Sequence, residues 1–341
     1  MAIKMLVFDF RDSEREFFNK NNLENFDITF IRDNLNDETV KNLSQEELEN
    51  TSVISVFIDS KVTENVINSF KNLRIIAARS TGVDHIDQKA AMAKNIALVN
   101  VEGYGSKSVA QYTIGLLIAL IRNIVPASKH VGNDNSACTD FIGRDISNLT
   151  LGVVGTGAIG AAVCKLAHAF DMKILAYDKI QKQEIINNYG VQYVEFEDLV
   201  SNSDVITLHL PYTGENGDLF TKKQFEMMKN TSYLINTSRG ELVNTRALYE
   251  AITNGNIKGA ALDVVVCEDA SFRCSDFAKR ADVRLECYEE AIIVKELVKL
   301  PTVIVTPHIA YETYDAVNYI LEICIIGILD SIKGGYTYRV C

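Results

Sequence analysis

The stretch Gly155-Thr156-Gly157-Ala158-Ile159-Gly160 decides the fold of this chain. The apolar run 150–154 precedes it, and residues 159–170 after it have helical periodicity. In a strand, turn and helix of this kind, the first glycine permits a tight turn and the second lets the backbone approach a pyrophosphate. The third lets the helix pack closely on the strand. The motif therefore predicts a dinucleotide site at the N-terminus of the helix.

An acidic residue follows at the distance that such a site requires. The apolar run 173–177 ends directly before Asp178, and the carboxylate of Asp178 can accept hydrogen bonds from the ribose diol of adenosine. The same carboxylate repels a 2′-phosphate, so the sequence favours NAD over NADP, although Lys179 weakens that preference. The alternative interpretation is an ordinary turn with a surface aspartate.

Apolar runs alternate with helical segments along the chain, which is typical of parallel α/β sheets. A largely apolar helix over 106–124 separates two series of runs, and a last helix is predicted over 315–333. The first series comprises 5–10, 28–31, 53–58, 74–78 and 97–100, and the second comprises 150–154, 173–177, 192–194, 204–208, 233–236, 260–264 and 303–305. The two series predict two Rossmann-like, doubly wound α/β domains.

Composition excludes several classes of protein. The 341 residues are 47% hydrophobic and 23% charged, with a net charge of -11. This composition is globular and lacks the basic surface of a nucleic-acid-binding protein. The apolar N-terminus and the apolar run 114–121 are too interrupted or too short for a signal peptide or a membrane span. We therefore expect a cytoplasmic protein with neither a nucleic-acid nor a membrane partner.

The seven cysteines are scattered along the chain, and none has Cys-x-x-Cys spacing. Such a pattern predicts neither a disulfide framework nor a zinc site. We therefore expect reduced thiols and no bound metal.

Three charged or titratable side chains follow runs of the second series: Arg239, Glu268 and His308. Ligands bind at the carboxyl ends of strands in open α/β sheets, so these side chains are expected at one edge. The planar fork of an arginine suits a carboxylate, and a protonated imidazole can donate a proton to a carbonyl oxygen. Taken singly, each has an ordinary explanation, such as a surface ion pair or a structural histidine.

Together these motifs resemble the D-2-hydroxyacid dehydrogenase family, specifically its D-lactate dehydrogenase branch, over nearly the whole chain. His308 matches the histidine of the family's Thr-Pro-His segment, and Glu268 lies five residues after Asp263, as the family's glutamate does. The resemblance implies that Arg239 binds the substrate carboxylate and that His308 is the acid/base for hydride transfer with NAD. It implies that Glu268 orients His308 and favours its charged form.

The resemblance also implies a domain arrangement. A smaller, flavodoxin-like substrate domain is expected from residues 1–101 with 310–341, and a larger NAD-binding domain from 102–309, with a cleft between them. Besides Arg239, the residues expected at the substrate are Thr81, Gly82, Tyr104 and Tyr311. Those expected at the coenzyme are Gly155, Gly157, Ala158, Ile159, Gly160, Asp178, His209, Leu210, Pro211, Asn216, Thr237, Ser238, Arg239 and Asp263.

One segment departs from the pattern of many relatives. Val265-Val266-Cys267-Glu268 stands where they have Glu-Pro, and an insertion over about 270–299 follows. The insertion resembles the D-lactate branch rather than the phosphoglycerate branch, and the short C-terminus has no room for a regulatory domain of the latter. A glutamate partner also argues against the formate dehydrogenase relatives, in which a glutamine holds the histidine.

Pyruvate, reduced to D-lactate, is the expected substrate. Aryl or branched 2-oxo acids such as phenylpyruvate or 2-oxoisocaproate are the alternative, because the loop 57–60 sets the pocket volume. A protein of a different class, an NAD-sensing binding protein similar to corepressor relatives, is a further alternative, as is a purely structural subunit. The helix over 106–124 is a candidate dimer element, so a homodimer or higher homo-oligomer is expected.

Overall fold

The computed structural model describes residues 2–20, 23–103, 105–132, 140–214, 216–272 and 285–340. The chain divides into two compact units, which are residues 1–104 with 312–341 (unit 1) and residues 105–311 (unit 2). The sequence analysis placed the domain boundaries a few residues earlier, at 101/102 and 309/310. Each unit is an α/β fold around a parallel sheet, as predicted.

The strands are β1 (Ile3–Val7), β2 (Phe26–Phe30), β3 (Val53–Val56), β4 (Ile75–Ala78), β5 (Ala97–Val99), β6 (Thr150–Val154), β7 (Lys173–Tyr177), β8 (Gln192–Tyr193), β9 (Val205–Leu208), β10 (Tyr233–Asn236), β11 (Gly259–Leu262) and β12 (Val303–Val305). The helices are α1 (Arg15–Lys20), α2 (Gln45–Asn50), α3 (Glu64–Ser69), α4 (Gln88–Ala93), α5 (Ser106–Ile121), α6 (Ile124–Gly132), α7 (Ala158–Ala169), α8 (Gln183–Tyr189), α9 (Phe196–Asn202), α10 (Lys222–Met227), α11 (Thr245–Thr253), α12 (Glu268–Phe272), α13 (Leu285–Lys299) and α14 (Tyr314–Ile332).

Unit 1 contains, in its described residues, a five-stranded sheet of order β2-β1-β3-β4-β5. Neighbouring strands pair in parallel, and this is the strand order of flavodoxin-like folds. The strands β3 and β4 are buried at every residue, because helices cover both faces of a parallel sheet. The C-terminal helix α14 returns to this unit and packs on β4 and β5.

Unit 2 contains, in its described residues, a seven-stranded parallel sheet of order β12-β11-β10-β9-β6-β7-β8. Alternate side chains along the central strands enter different hydrophobic clusters, as Ile206 and Leu234 do on one face and Val153 and Ile235 on the other. The strand order reverses between β6 and β9. In open sheets of this type, ligands bind at the carboxyl edge beside such a reversal.

The long helix predicted over 106–124 is broken. The structure ends α5 at Ile121 and begins α6 at Ile124, and the two helices meet at 62°. Asn123 between them adopts a left-handed conformation with φ +54°, which asparagine tolerates better than most residues. Among the described residues no single helix is long and apolar enough to cross a membrane, and this bent pair alone passes that test when its helices are counted together.

The expectation that the cysteines are reduced thiols is wrong for one pair. Cys267 and Cys287 form a disulfide, with their Cα atoms 5.4 Å apart. Twenty residues separate them in sequence, and only the packing of α12 on α13 brings them together. Cys164 and Cys324 are buried free thiols, and the remaining cysteines, Cys138, Cys274 and Cys341, lie outside the described residues.

Candidate active site

The glycine loop after β6 leaves space in front of α7. Gly155 has φ +91°, and a Cβ there would lie 2.7 Å from the carbonyl oxygen of His209, so only glycine fits. A Cβ at Gly160 would collide with the carbonyl oxygen of Gly155, which explains how closely α7 packs. A Cβ at Gly157 would meet no atom within 4 Å. The loop and the N-terminus of α7, where Ala158 and Ile159 lie, therefore fit a pyrophosphate.

Asp178 closes the far side of this loop. Its Oδ2 accepts hydrogen bonds from the Thr156 N–H at 2.6 Å and the Thr156 hydroxyl at 3.0 Å, and its Oδ1 accepts from the Ile180 N–H at 3.1 Å. Partial burial alone would raise the pKa of this carboxyl, but the hydrogen bonds outweigh it and hold the pKa below its usual value. The carboxylate is therefore ionised at neutral pH, and a negative charge at this place would repel a 2′-phosphate.

Asp178→Ala is expected to raise the ratio of kcat/KM with NADPH to kcat/KM with NADH by about thirtyfold, because the negative charge and the acceptor for the ribose diol are both removed. Steady-state kinetics with the two coenzymes measures this ratio. Thr156→Ala is the matched control, since it removes the hydroxyl that contacts Asp178 but keeps the carboxylate. If Asp178→Ala weakened both coenzymes equally, the aspartate would act only as a support for the loop.

The loop after β9 lies against the glycine loop. The His209 N–H donates to the Val154 carbonyl at 2.8 Å, and the ring Nε2 lies 3.0 Å from the Thr207 hydroxyl. Burial lowers the pKa of His209 to about 3, so the ring is neutral. Its Nδ1 is buried and has no hydrogen-bond partner among the described residues. This nitrogen is the kind of orphaned polar atom that a bound ligand can satisfy.

The residues that follow His209 are held by side chains. Asn216 Nδ2 donates to the Pro211 carbonyl at 2.7 Å, and Asn216 Oδ1 accepts from the Thr213 N–H at 2.9 Å. The Ser238 hydroxyl donates to the Leu210 carbonyl. Asn216 and Ser238 were predicted at the coenzyme, and in this structure both fix the loop that begins at Leu210.

Arg239 follows β10 in a turn that is fixed from two sides. Its Nη1 donates to the Ser238 carbonyl at 2.8 Å, while Asn236 Nδ2 donates to the Arg239 carbonyl at 2.8 Å. Thr237 in the same turn lies 2.9 Å, hydroxyl to hydroxyl, from Thr113 of α5. Arg239 is a half-buried residue, and its Nη1 bond orients a guanidinium whose planar fork can bind a carboxylate directionally.

Gly240 brings the Arg239 turn against the segment that leads to Glu268. A Cβ on Gly240 would collide with the backbone of Val265 and Val266. Any larger residue would therefore separate these two strand ends. The sequence analysis did not single out this glycine, although its place directly after Arg239 is visible in the sequence.

His308 and Glu268 form a hydrogen-bonded pair. The ring Nδ1 lies 2.8 Å from Glu268 Oε2, and the two side chains are 23% and 28% exposed. An ionised carboxylate can only accept, so Nδ1 carries a hydrogen and Nε2 is left for another partner. His308 has φ +56°, an uncommon conformation for histidine. Tyr311 is buried, and its ring meets the His308 ring edge to face at 6.4 Å between centroids.

Asp263 organises the loop that carries His308. It is fully buried after β11, and its Oδ1 accepts from the Thr306 hydroxyl at 2.6 Å and the Ile309 N–H at 3.0 Å. Its Oδ2 accepts from the Ala310 N–H at 2.8 Å, and its carbonyl accepts from the His308 N–H at 2.9 Å. The sequence analysis placed Asp263 at the coenzyme and missed this positioning role, for which the sequence carries no signal.

The predicted substrate residues outside these loops are Thr81, Gly82 and Tyr104. Thr81 and Gly82 follow β4 in unit 1, where the Thr81 hydroxyl donates to the Val101 carbonyl at 2.8 Å. Among the described residues, neither the Thr81 N–H nor the Gly82 N–H donates to a protein acceptor. Tyr104 lies outside the described residues.

The predicted residues of unit 2 thus follow strands that are neighbours in one sheet. From one side to the other, the order is His308 after β12, Asp263 after β11, Arg239 after β10, His209 after β9, Gly155 after β6 and Asp178 after β7. A nucleotide-type loop at the strand reversal and an imidazole–carboxylate pair at the far strands therefore share the carboxyl edge. Such an edge can bind a dinucleotide and place an acid/base beside it.

Comparison with known proteins agrees with this geometry. Residues 114–310 match the family model described as D-isomer specific 2-hydroxyacid dehydrogenase, NAD binding domain. This match spans more than half of the chain and most of unit 2.

Solved structures with similar folds extend the comparison over both units. The structure of D-lactate dehydrogenase from Aquifex aeolicus, complexed with NAD and lactic acid, is similar with a TM-score of 0.86 and 30% identity, covering 98% of each chain. The apo-structure of D-lactate dehydrogenase from Escherichia coli has a TM-score of 0.83 at 26% identity, covering 99% of this chain and 100% of that one. The pyruvate reductase of Chlamydomonas reinhardtii has a TM-score of 0.86 at 28% identity, covering 98% and 97%.

Proposed function

Since this chain belongs to the D-isomer specific 2-hydroxyacid dehydrogenase family, we propose that it reduces pyruvate reversibly to D-lactate with NADH. The family supplies the class of reaction, an NAD-dependent oxidation or reduction at a 2-hydroxy or 2-oxo acid. The observation that carries the proposal is the His308–Glu268 hydrogen bond of 2.8 Å, at the same sheet edge as Arg239 and the glycine loop.

His308 is the acid/base of the proposed reaction. Because Glu268 accepts from Nδ1, the protonated ring presents Nε2–H, which donates its proton to the carbonyl oxygen of the 2-oxo acid. In the reverse direction, neutral Nε2 accepts the hydroxyl proton of the 2-hydroxy acid. The carboxylate of Glu268 stabilises the imidazolium and fixes the ring plane, as a carboxylate does in other acid/base pairs.

Arg239 binds and orients the substrate. Its guanidinium presents parallel N–H groups that match the two oxygens of a carboxylate, which places the adjacent ketone at a defined position. The Gly240 contact with the Val265 backbone keeps this turn next to the segment of Glu268.

The chain's own residues provide the coenzyme site. The glycine loop and the N-terminus of α7 would hold the pyrophosphate, and Asp178 the adenosine ribose. When bound, NADH supplies the hydride for the carbonyl carbon.

Pyruvate is favoured among 2-oxo acids for a comparative reason. Two of the similar structures are D-lactate dehydrogenases, and a third is a pyruvate reductase. The test is a steady-state screen of NADH oxidation with pyruvate, 2-oxoisocaproate, phenylpyruvate and 2-oxoglutarate, together with the chirality of the product. We expect kcat/KM for pyruvate to exceed that for each of the others by about tenfold or more, and the product to be D-lactate.

Other outcomes of this screen have defined meanings. A preference for phenylpyruvate or 2-oxoisocaproate would replace pyruvate by the aryl or branched substrate class. Binding of NADH without oxidation by any of the four acids would favour the NAD-sensing protein, and absence of NADH binding would favour a structural subunit. A product of L configuration would contradict the proposal altogether.

Assembly and location remain predictions. We propose a homodimer or higher homo-oligomer, because the apolar helix α5 was predicted to lie between domains or subunits. We also propose that the protein lies in the cytoplasm. Sedimentation or light scattering of the purified protein measures the assembly.

A further inference from the structure

The Cys267–Cys287 disulfide is adjacent in sequence to the acid/base pair. Cys267 directly precedes Glu268, the first residue of α12, and Cys287 lies on α13. The disulfide therefore links the residue that begins the glutamate-bearing helix to a neighbouring, longer helix. Both cysteines are half-buried, whereas Cys164 and Cys324 are fully buried.

The backbone at Cys267 shows how this link acts on Glu268. Cys267 adopts φ +55°, a left-handed conformation that is unfavourable for a residue with a Cβ. Its carbonyl accepts from the Ala270 N–H at 3.0 Å and the Ser271 N–H at 3.1 Å, which starts the first turn of α12. The direction in which the Glu268 side chain points thus depends on the uncommon backbone conformation of Cys267, one residue before it.

The side chains that pack beside the disulfide are short. Among the described residues, Ala270 of α12 and Ala291 of α13 form a cluster of two buried alanines, with Cys267 and Cys287 packed against it. Alanine side chains bury little apolar area and so contribute little to holding one helix on another. Phe272, at the end of α12, packs against the main core, but it lies four residues from Glu268.

We propose that Cys267–Cys287 is a reversible thiol–disulfide site that controls the acid/base pair by holding Glu268 against His308. With the disulfide formed, Cys267 is kept in its left-handed conformation and Glu268 accepts from His308 Nδ1. With the disulfide reduced, Cys267 relaxes and the carboxylate leaves the imidazole. The inference rests on the proposed function for its effect on turnover, but not for its effect on the histidine.

The reduction is a two-electron exchange with a dithiol. A thiolate of dithiothreitol attacks one sulfur of the Cys267–Cys287 bond, and its second thiolate then closes the cyclic disulfide of the reagent. The protein S–S bond breaks, the reagent S–S bond forms, and two electrons and two protons pass to the cysteine sulfurs. Burial raises the pKa of the Cys164 thiol to about 12 and that of Cys324 to about 11, so these thiols stay unreactive.

A reversible disulfide is consistent with the predicted location. In a reducing compartment, disulfides that persist are rare and those that form are usually transient, catalytic or redox-sensing. Both cysteines are half-buried residues, and exchange requires that a thiolate reach one of their sulfurs.

The decisive experiment records the ring N–H signal of His308 by NMR in the full chain, oxidised and then reduced by dithiothreitol. The chain has five histidines, and His308→Asn identifies the signal. An Nδ1–H that donates to a carboxylate exchanges slowly with water and is observed far downfield, so we expect the signal in the oxidised protein and its loss on reduction. At neutral pH, kcat/KM for pyruvate should fall by about tenfold on reduction.

Variants separate this effect from a merely structural one. The double variant C267S/C287S should lack the His308 ring N–H signal, as the reduced protein does, and should not respond to dithiothreitol, whereas C164A and C324A should respond like the parent. Peptide mass mapping after alkylation in denaturant reports the state of Cys267 and Cys287 in each sample. Free thiols at Cys267 and Cys287 after treatment with oxidised glutathione would overturn the proposal. A change in Tm on reduction with an unchanged His308 ring N–H signal would also overturn it.

The two proposals fail in different ways. If none of the 2-oxo acids is reduced but the His308 ring N–H signal is still lost on reduction of the disulfide, the thiol–disulfide site stands and the proposed dehydrogenase function falls. If pyruvate is reduced to D-lactate and the His308 signal is unchanged on reduction of the disulfide, the dehydrogenase stands and the thiol–disulfide site falls.

Discussion

His308→Asn is expected to lower kcat for the proposed reduction of pyruvate by about three orders of magnitude, because the proposed proton donor to the carbonyl oxygen is lost. Asparagine is the right replacement for this position. His308 has φ +56°, and asparagine adopts left-handed conformations more readily than other residues with a side chain. The loop should therefore keep its shape, and the loss of turnover reports the chemistry.

The measurements are steady-state kinetics with pyruvate and NADH, and the affinity for NADH by fluorescence titration. NADH affinity should stay within about twofold of the parent, since the glycine loop and Asp178 are unchanged. His168→Asn is a matched control, because His168 is an exposed histidine on α7. A His308→Asn protein that turned over nearly as fast as the parent would remove His308 from the acid/base role.

Glu268→Gln is expected to lower activity less than His308→Asn does. The amide oxygen can still accept from His308 Nδ1, but the negative charge that favours the imidazolium is gone. We expect kcat/KM at neutral pH to fall by about tenfold. A kcat/KM equal to that of the parent would show that the carboxylate charge does not act on the ring.

Much of the sheet could be predicted because apolar and β-branched runs report burial directly. The runs 150–154 and 233–236 match β6 and β10 as observed, since both strands lie inside the sheet of unit 2. The first run, predicted at 5–10, is observed as β1 at Ile3–Val7. There the apolar residues continue past Val7, where the regular pairing with β2 ends, and Asp9 has φ +51°.

The order of the strands could be predicted from the sequence only through the glycine motif. A glycine loop followed by an acid fixes β6 and β7, and from them the place of the coenzyme edge. The position of Arg239 and His308 at one edge could be predicted because each follows an apolar run, and parallel pairing brings the carboxyl ends of these strands together. The 2.8 Å contact of Glu268 with His308 could be expected only from the resemblance.

Contacts that depend on tertiary packing had no local signal. The acceptor role of Asp263 needs the loop 306–310 to fold back over β11, and hydrophobic periodicity says nothing about such a loop. The break between α5 and α6 depends on the backbone of Asn123, inside a segment that is apolar on both sides. The Cys267–Cys287 pair joins helices whose packing no cysteine spacing encodes.

Arg239→Lys is expected to lower kcat/KM for pyruvate by about a hundredfold, divided between a higher KM and a lower kcat. Lysine keeps the positive charge but offers a single ammonium in place of a planar pair of N–H groups. It also loses the Nη1 hydrogen bond to the Ser238 carbonyl, which fixes the direction of the guanidinium. The substrate should therefore bind more weakly and in a less productive orientation.

Both kinetic constants are needed, because they separate binding from orientation. Arg246→Lys is the matched control, since Arg246 is exposed on α11 of the same unit and should tolerate the change within about twofold. NADH affinity should be unchanged in both variants, because the glycine loop is untouched. If Arg239→Lys altered NADH affinity alone and left KM for pyruvate as in the parent, Arg239 would belong to the coenzyme site rather than to the carboxylate.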